Sequence, residues 1–204
     1  MKVSLIKQQI KRPDRYSIFV DGKYSFSLSA DALLEQGLVL GQELSPPALR
    51  RLKELSSDDK LYGLALRYVA MRPRSRWELE TYLQRKDATP ALQKQILNKL
   101  TNLGFINDED FAQRWAQNRR LLRPTSLRKL QQELKLKHID EEIIATVLSE
   151  DAAANEQAAL RELVHKKRSM TRYQDKTKLM AYLARQGFNY GDIKQALEDD
   201  DSIS

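Results

Sequence analysis

Residues 75–86 read SRWELETYLQRK, residues 126–137 read SLRKLQQELKLK, and residues 175–186 read DKTKLMAYLARQ. Each segment opens on a residue whose side-chain oxygen can cap a helix. Each then carries leucine four and eight positions later: Leu79 and Leu83, Leu130 and Leu134, Leu179 and Leu183. Positions four apart stack on one helix face, so each pair marks an apolar stripe. A second apolar pair follows in every copy: Ile96 and Leu100 after three extra residues, Ile144 and Leu148, Ile193 and Leu197. The starts of the segments lie 51 and 49 residues apart. A unit of that size buries little apolar area alone, and tandem copies can share a core.

The pattern predicts three helices per repeat. First helices are expected near 58–71, 108–122 and 152–167, second helices near 75–86, 126–137 and 175–186, and third helices near 90–103, 140–149 and 190–198. "SRWE" at 75–78 reads as a capping box, with Ser75 accepting from the Glu78 amide and Glu78 reaching back. Thr89-Pro90 opens the next helix. "GFINDED" at 104–110 reads as a joint between repeats. Gly104 can take the left-handed conformation that ends a helix. Phe105 and Ile106 are expected to pin the joint into the core, Asn107 or Asp108 to cap the next helix, and Phe111 and Trp115 to face inward. "QGFNYGD" at 186–192 echoes the joint within the third repeat.

The start of the chain has strand chemistry. "VSLIKQQI", "RYSIFV" and "VDGKYSFSL" are rich in β-branched and aromatic residues, and Asp21-Gly22 signals a hairpin. A two-residue loop would set Ile18 opposite Ser25. A three-residue loop would set Ile18 opposite Tyr24 and Tyr16 opposite Phe26; it gives one apolar face and is the preferred reading. A short helix over "SADALLEQG" should stop at Gly37, a helix opens at Ser45-Pro46, and another is expected to start near Ser57. The fold class is therefore mainly α, three tandem three-helix repeats behind a small N-terminal β-rich module. Expected boundaries are 1–45 for the β module, 46–107 for the first repeat with its lead-in helix, 108–150 for the second, 151–200 for the third, and 201–204 for an acidic tail.

Composition bounds the chemistry. The 204 residues contain no cysteine, which excludes disulfides, thiolate metal sites and cysteine nucleophiles. No apolar run approaches the ~18 residues of a membrane span, and the first residues have no signal-peptide core, so a cytoplasmic location is expected. His138 and His165 stand 27 residues apart without a metal-binding context and read as surface groups. The run "EDDDS" at 198–202 could hold a divalent cation weakly and reads instead as a frayed, solvated tail. No glycine-rich phosphate loop occurs. No catalytic residue, metal or cofactor is expected, and the chain reads as a non-enzyme.

Charge points to an acidic partner. The net charge is +7, divided as +3 over residues 1–71, +8 over 72–137 and −4 over 138–204. Cations gather at one turn of each repeat: Arg72, Arg74 and Arg76; Arg119, Arg120 and Arg123, followed by Arg128, Lys129, Lys135 and Lys137; and Lys166, Lys167 and Arg168 within "HKKRSMTR". Helix C-termini attract cations by their dipole, but recurrence at one structural point favours a binding edge. Trp77, Trp115, Tyr68, Tyr82 and Tyr182 sit at apolar helical positions and are assigned to packing rather than base stacking.

"RSRWELETYLQRK" followed by "LTNLGFINDEDFAQRW" resembles the RecX family, regulators of the bacterial RecA recombinase. The resemblance covers roughly 55–200 and is most specific over 72–120; Asn107 replaces the aspartate common after "GFI". It implies a curved, all-helical arc of three repeats with a β-rich extension. It also implies docking along the RecA–single-stranded DNA filament by a monomer, with restraint of strand exchange, ATP hydrolysis and coprotease activity during DNA repair and the SOS response. From the residues alone, two other readings stand beside this one: an autonomous protein binding single- or double-stranded DNA, and a scaffold that binds only proteins.

Overall fold

The computed structural model describes residues 1–149 and 152–203. Two compact units form, one from Met1–Pro73 with Leu79–Ile106, the other from Arg74–Glu78 with the residues from Asn107 onward.

The first unit begins with an antiparallel sheet of β1 (Val3–Gln9), β2 (Arg12–Val20) and β3 (Lys23–Ser29), in that order. The hairpin between β2 and β3 uses the two-residue Asp21-Gly22 turn, with φ of 49° and 78°. Neither predicted register is adopted. A bulge on β3 shifts the pairing, so that Phe19 faces Tyr24 but Ile18 faces Phe26 and Tyr16 faces Leu28. The extra residue, Ser25, restores the alternation that the short turn alone would break, and Ile18, Phe26 and Leu28 are buried together.

Helix α1 (Ala30–Glu35) is capped by Ser29 and stops at Gly37, whose φ is 57°. Helix α2 runs unbroken over Pro46–Ala70, capped by Ser45. The expected second start near Ser57 is therefore absent. Ser56 and Asp59 do not cap a new helix but turn sideways onto the sheet. Ser56 Oγ donates to Ser27 O at 2.7 Å, Asp59 accepts from the Ser29 amide and hydroxyl at 2.8 and 2.6 Å, and Arg15 Nη1 meets Asp59 Oδ2 at 2.9 Å. The outer edge of β3 is covered in this way. Leu52 belongs to the sheet's own core, so the β module and the lead-in helix share one hydrophobic cluster. Helices α3 (Arg76–Gln84) and α4 (Pro90–Asn102) close the first repeat around Leu79, Leu83, Ile96 and Leu100.

In the second unit α5 (Asp108–Leu122), α6 (Leu127–Lys135) and α7 (Glu141–Ser149) form one repeat. Helices α8 (Ala152–Arg168), α9 (Lys176–Arg185) and α10 (Tyr190–Ile203) form the next, with a 3-10 turn at Thr171–Tyr173. The run at 198–202 is thus no frayed tail but the last turns of α10, where Asp200 pairs with Arg168. Of the expected tail 201–204, Ser204 lies outside the described residues. Leu79, Leu130 and Leu179 are 0–1% exposed, as are Leu83, Leu134 and Leu183.

The joint after α4 is built as expected in its backbone. Gly104 has φ 76°, its amide bonds Thr101 O, and the Phe105 amide bonds Leu100 O. Asn107 caps α5 by accepting from the Glu109 and Asp110 amides. Phe105, however, is 42% exposed; only Ile106 enters the core, because the left-handed turn points successive side chains apart. Phe111 is buried and Trp115 half-buried against it.

A second left-handed position recurs where the second helix of each repeat ends: Asp87 (φ 56°), His138 (φ 55°) and Gly187 (φ 93°). The next amide bonds the leucine carbonyl five residues back in every copy, Ala88 to Leu83, Ile139 to Leu134 and Phe188 to Leu183.

Two predictions follow from the packing. Leu130→Ala and Leu179→Ala should each cost roughly 2–5 kcal/mol by denaturant titration; a change within 0.5 kcal/mol would remove them from the core. Gly187→Ala should cost at least about 1–2 kcal/mol, from the left-handed backbone alone, and a Cβ there would also lie 2.5 Å from Ser126 Oγ. Asp87→Gly should not destabilise, and a thermal melt that ranked the two the other way would break the equivalence.

Candidate functional site

The cations of the second unit converge because three helix ends meet. Arg119 and Arg123 are one turn apart at the end of α5, where Arg123 is the C-cap. Pro124, Thr125 and Ser126 then turn the chain, all three buried, and Ser126 caps α6 through the Lys129 amide. Lys166 and Lys167 occupy the last turn of α8. Gln186 ends α9 and holds Lys129 Nζ at 2.6 Å through Oε1. Arg119, Arg123, Lys129, Lys166, Lys167 and Gln186 line one groove with Tyr182 and Glu133. A second trough shares Lys129 and Gln186 with it and reaches Arg128 and Arg185 beside Gly187.

Among the described residues Glu133 is the one acid in the groove lining, and it is already engaged. Its Oε2 accepts from Arg119 Nε at 2.8 Å and from Trp115 Nε1 at 2.9 Å. Arg119 also lies over the Trp115 ring, 5.4 Å from its centroid. The remaining cations have no carboxylate among the lining residues, so the groove keeps a positive field. Lys167 leans on two phenol rings, 5.1 Å from the Tyr182 centroid and 5.6 Å from that of Tyr173. Burial, and then the neighbouring Tyr173, push the Tyr182 phenol above its usual pKa, so it stays a hydrogen-bond donor. Glu156 Oε1 accepts from the Leu127 amide at 3.3 Å. Burial holds its carboxyl above the usual range, against the lowering effect of that amide and with a further push from Asp192.

The other expected binding residues are spread more widely. Arg72 belongs to the first unit and donates to Pro73 O. Arg74 and Arg76 belong to the second, where the Arg76 amide donates to Asp108 Oδ1 at 2.7 Å. Lys137 Nζ is held by Glu78 at 2.6 Å, Lys135 by Glu141 at 2.6 Å, and Arg168 by Asp200 at 3.1 Å. Arg120 turns inward, with Nε and Nη2 buried and no hydrogen-bond partner among the described residues. His138 is exposed and stacks on Trp77 at 4.4 Å between centroids. Sequence reasoning missed Arg185 and the part of Tyr182 that faces the groove. Arg185 occupies the last turn of α9, as Lys135 does that of α6, and the same rule would have found it. Among the described residues no three His, Cys, Asp or Glu side chains converge as metal ligands, and no helix is long and apolar enough to cross a membrane.

Comparison with known proteins matches four consecutive stretches of the chain. The regulatory protein RecX N-terminal domain matches residues 1–45, and the first, second and third RecX three-helix domains match 62–100, 107–148 and 155–197. A regulatory protein RecX of Lactobacillus delbrueckii subsp. bulgaricus is 30% identical over 93% of this chain and 71% of its own. That of Bacillus subtilis is 27% identical over 96% and 76%. A crystal structure of regulatory protein RecX superposes with a TM-score of 0.73 at 23% identity, covering 97% of this chain and 98% of the other. The crystal structure of RecX from Lactobacillus salivarius gives 0.61 at 26% identity, over 71% and 97%. With all four segments matched in order on a chain whose described residues form a three-stranded sheet followed by ten α-helices, the chain belongs to the RecX family of regulatory proteins.

Proposed function

We propose that this chain binds the RecA–single-stranded DNA filament through the groove of its second unit, and that binding restrains ATP hydrolysis, strand exchange and coprotease activity. The role is one of occupancy, without catalysis, by a monomer in the cytoplasm. Residues 108–150 and 151–200 act as the two repeats that build the groove. The observation that carries this reading is the arrangement around Glu133. One lining acid is consumed internally while Arg123, Lys129, Lys166 and Lys167 remain around it. Helix dipoles explain one or two cations at a single C-terminus. They do not explain why the ends of α5, α8 and α9 meet at one groove.

An autonomous DNA-binding protein would use the same field, so the test includes salt. A phosphate-dominated binder loses affinity by about 0.7 in log K per single-strand phosphate contact for each decade of salt. A protein-only scaffold would show no such loss, because it would not bind bare DNA.

The decisive variant combines Arg123→Glu, Arg128→Glu and Lys166→Glu, three exposed positions away from the leucine stripe. Arg119 is left in place, because its removal would strip Glu133 of a partner. A single exposed ion pair contributes about 0–1 kcal/mol. Three reversals in one field should exceed that, raising the concentration needed to suppress RecA ATPase on single-stranded DNA by at least about tenfold. Circular dichroism should be unchanged. Suppression at wild-type concentrations by the folded variant would exclude the groove as the docking surface.

A further inference from the structure

The first unit carries a separate trough between β3 and α2 whose chemistry the reading above does not use. Lys53, Ser56, Ser57 and Lys60 fall at i, i+3, i+4 and i+7 of α2 and line it together with Arg12 of β2. The two short serines stand between the two lysines, and Ser56 Oγ donates to Ser27 O of β3 at 2.7 Å. The buried Arg15 is already neutralised by Asp59 at 2.9 Å. Among the described residues no carboxylate lines the trough, and Arg12, Lys53 and Lys60 face it together.

At its rim stands Tyr24, 59% exposed. In a regular strand Tyr24 would share a face with the buried Phe26 and Leu28. The bulge at Ser25 releases it from that face. Phe19 meets the ring edge-on, with centroids 5.9 Å apart and planes at 81°, and supports it while leaving it exposed. Cations that track a backbone beside an exposed aromatic ring are the two elements of a single-strand platform.

We propose that this trough is a second nucleic-acid contact, for single-stranded DNA or RNA. Phosphates lie against Arg12, Lys53 and Lys60, and an unpaired base stacks on Tyr24. The site works in the absence of RecA and does not depend on the groove of the second unit.

The test is fluorescence anisotropy of a labelled oligothymidylate with the full chain and no RecA, in two backgrounds: the native chain and the chain with the groove substitutions Arg123→Glu, Arg128→Glu and Lys166→Glu. In both, Arg12→Ala with Lys53→Ala and Lys60→Ala should reduce the slope of log K against log salt by about 2, three contacts at about 0.7 each. Tyr24→Ala should weaken single-strand binding by about tenfold and leave duplex binding unchanged. Melting curves check the fold, and Tyr24→Trp, which keeps a stacking face, should restore binding. An unaltered salt slope in the triple alanine variant overturns the site. Full affinity in Tyr24→Ala, or equal losses for duplex and single strand, overturns the single-strand assignment. Loss of RecA suppression by the groove variant leaves this result untouched, so the two readings fail separately.

Discussion

A serine hydroxyl has one proton and two lone pairs, and the serine that opens the second helix of a repeat uses both kinds of capacity. Ser126 Oγ accepts from the Lys129 amide at 3.1 Å and donates to Gln186 O at 2.7 Å. Ser75 Oγ accepts from the Glu78 amide at 3.2 Å and donates to Lys137 O at 3.0 Å. One atom therefore caps its own helix and ties that cap to the end of the equivalent helix in the following repeat. Both serines are wholly buried, so an unmade bond would leave a desolvated donor or acceptor, at a cost of about 1–3 kcal/mol. The carbonyl that receives the proton directly precedes the left-handed residue. The turn at 138 or 187 presents that carbonyl and sends Ile139 or Phe188 into the core. Leucine stripes supply the apolar area within each repeat, and the serine bond fixes the end of each second helix against the cap it meets.

The two copies of this clamp differ in tightness, and the difference explains a residue choice. His138 tolerates φ 55° beside Ser75 and has room to stack on Trp77. At the second clamp the bond is shorter and Ser126 Oγ occupies the space that a Cβ on residue 187 would need, so only glycine fits. Neighbouring side chains follow the same logic. Glu78 and Lys129 are both third in their helices; Glu78 takes Lys137 across the first clamp, and Lys129 takes Gln186 across the second.

Much of this was legible in the sequence, and the misses have a common cause. Cap and leucine pair sufficed to place the second helices of the repeats, because each rests on contacts within about ten residues. The bulge at Ser25 was not legible, since it arises from the demand that Ile18, Phe26 and Leu28 share a face with the rest of the sheet's core. Nor was the continuity of α2 at Ser57, which depends on Ser56 and Asp59 finding partners nearly thirty residues away on β3. Residue lists identified the cations, but not which were spent. Lys135, Lys137 and Arg168 are paired with carboxylates six or more residues away, and only the fold shows that Arg123 and Lys166 are not drawn into such pairs within the groove lining.

The same positions serve folding and charge. A cation in the last turn of a helix is favoured by the carbonyls there, by about 0.3–1 kcal/mol when exposed. Arg119 and Arg120 in α5, and Lys166, Lys167 and Arg168 in α8, stand at such ends. Gathering cations in a groove normally raises their mutual repulsion and opposes the compact state. Here the helix ends offset part of that repulsion, Glu133 removes more of it at Arg119, and the Tyr182 and Tyr173 rings take up Lys167 without adding negative charge. A carboxylate in place of either tyrosine would stabilise Lys167 more strongly and cancel the field that an acidic partner needs. Aromatic support in the groove is therefore the choice that keeps both the fold and an outward positive potential.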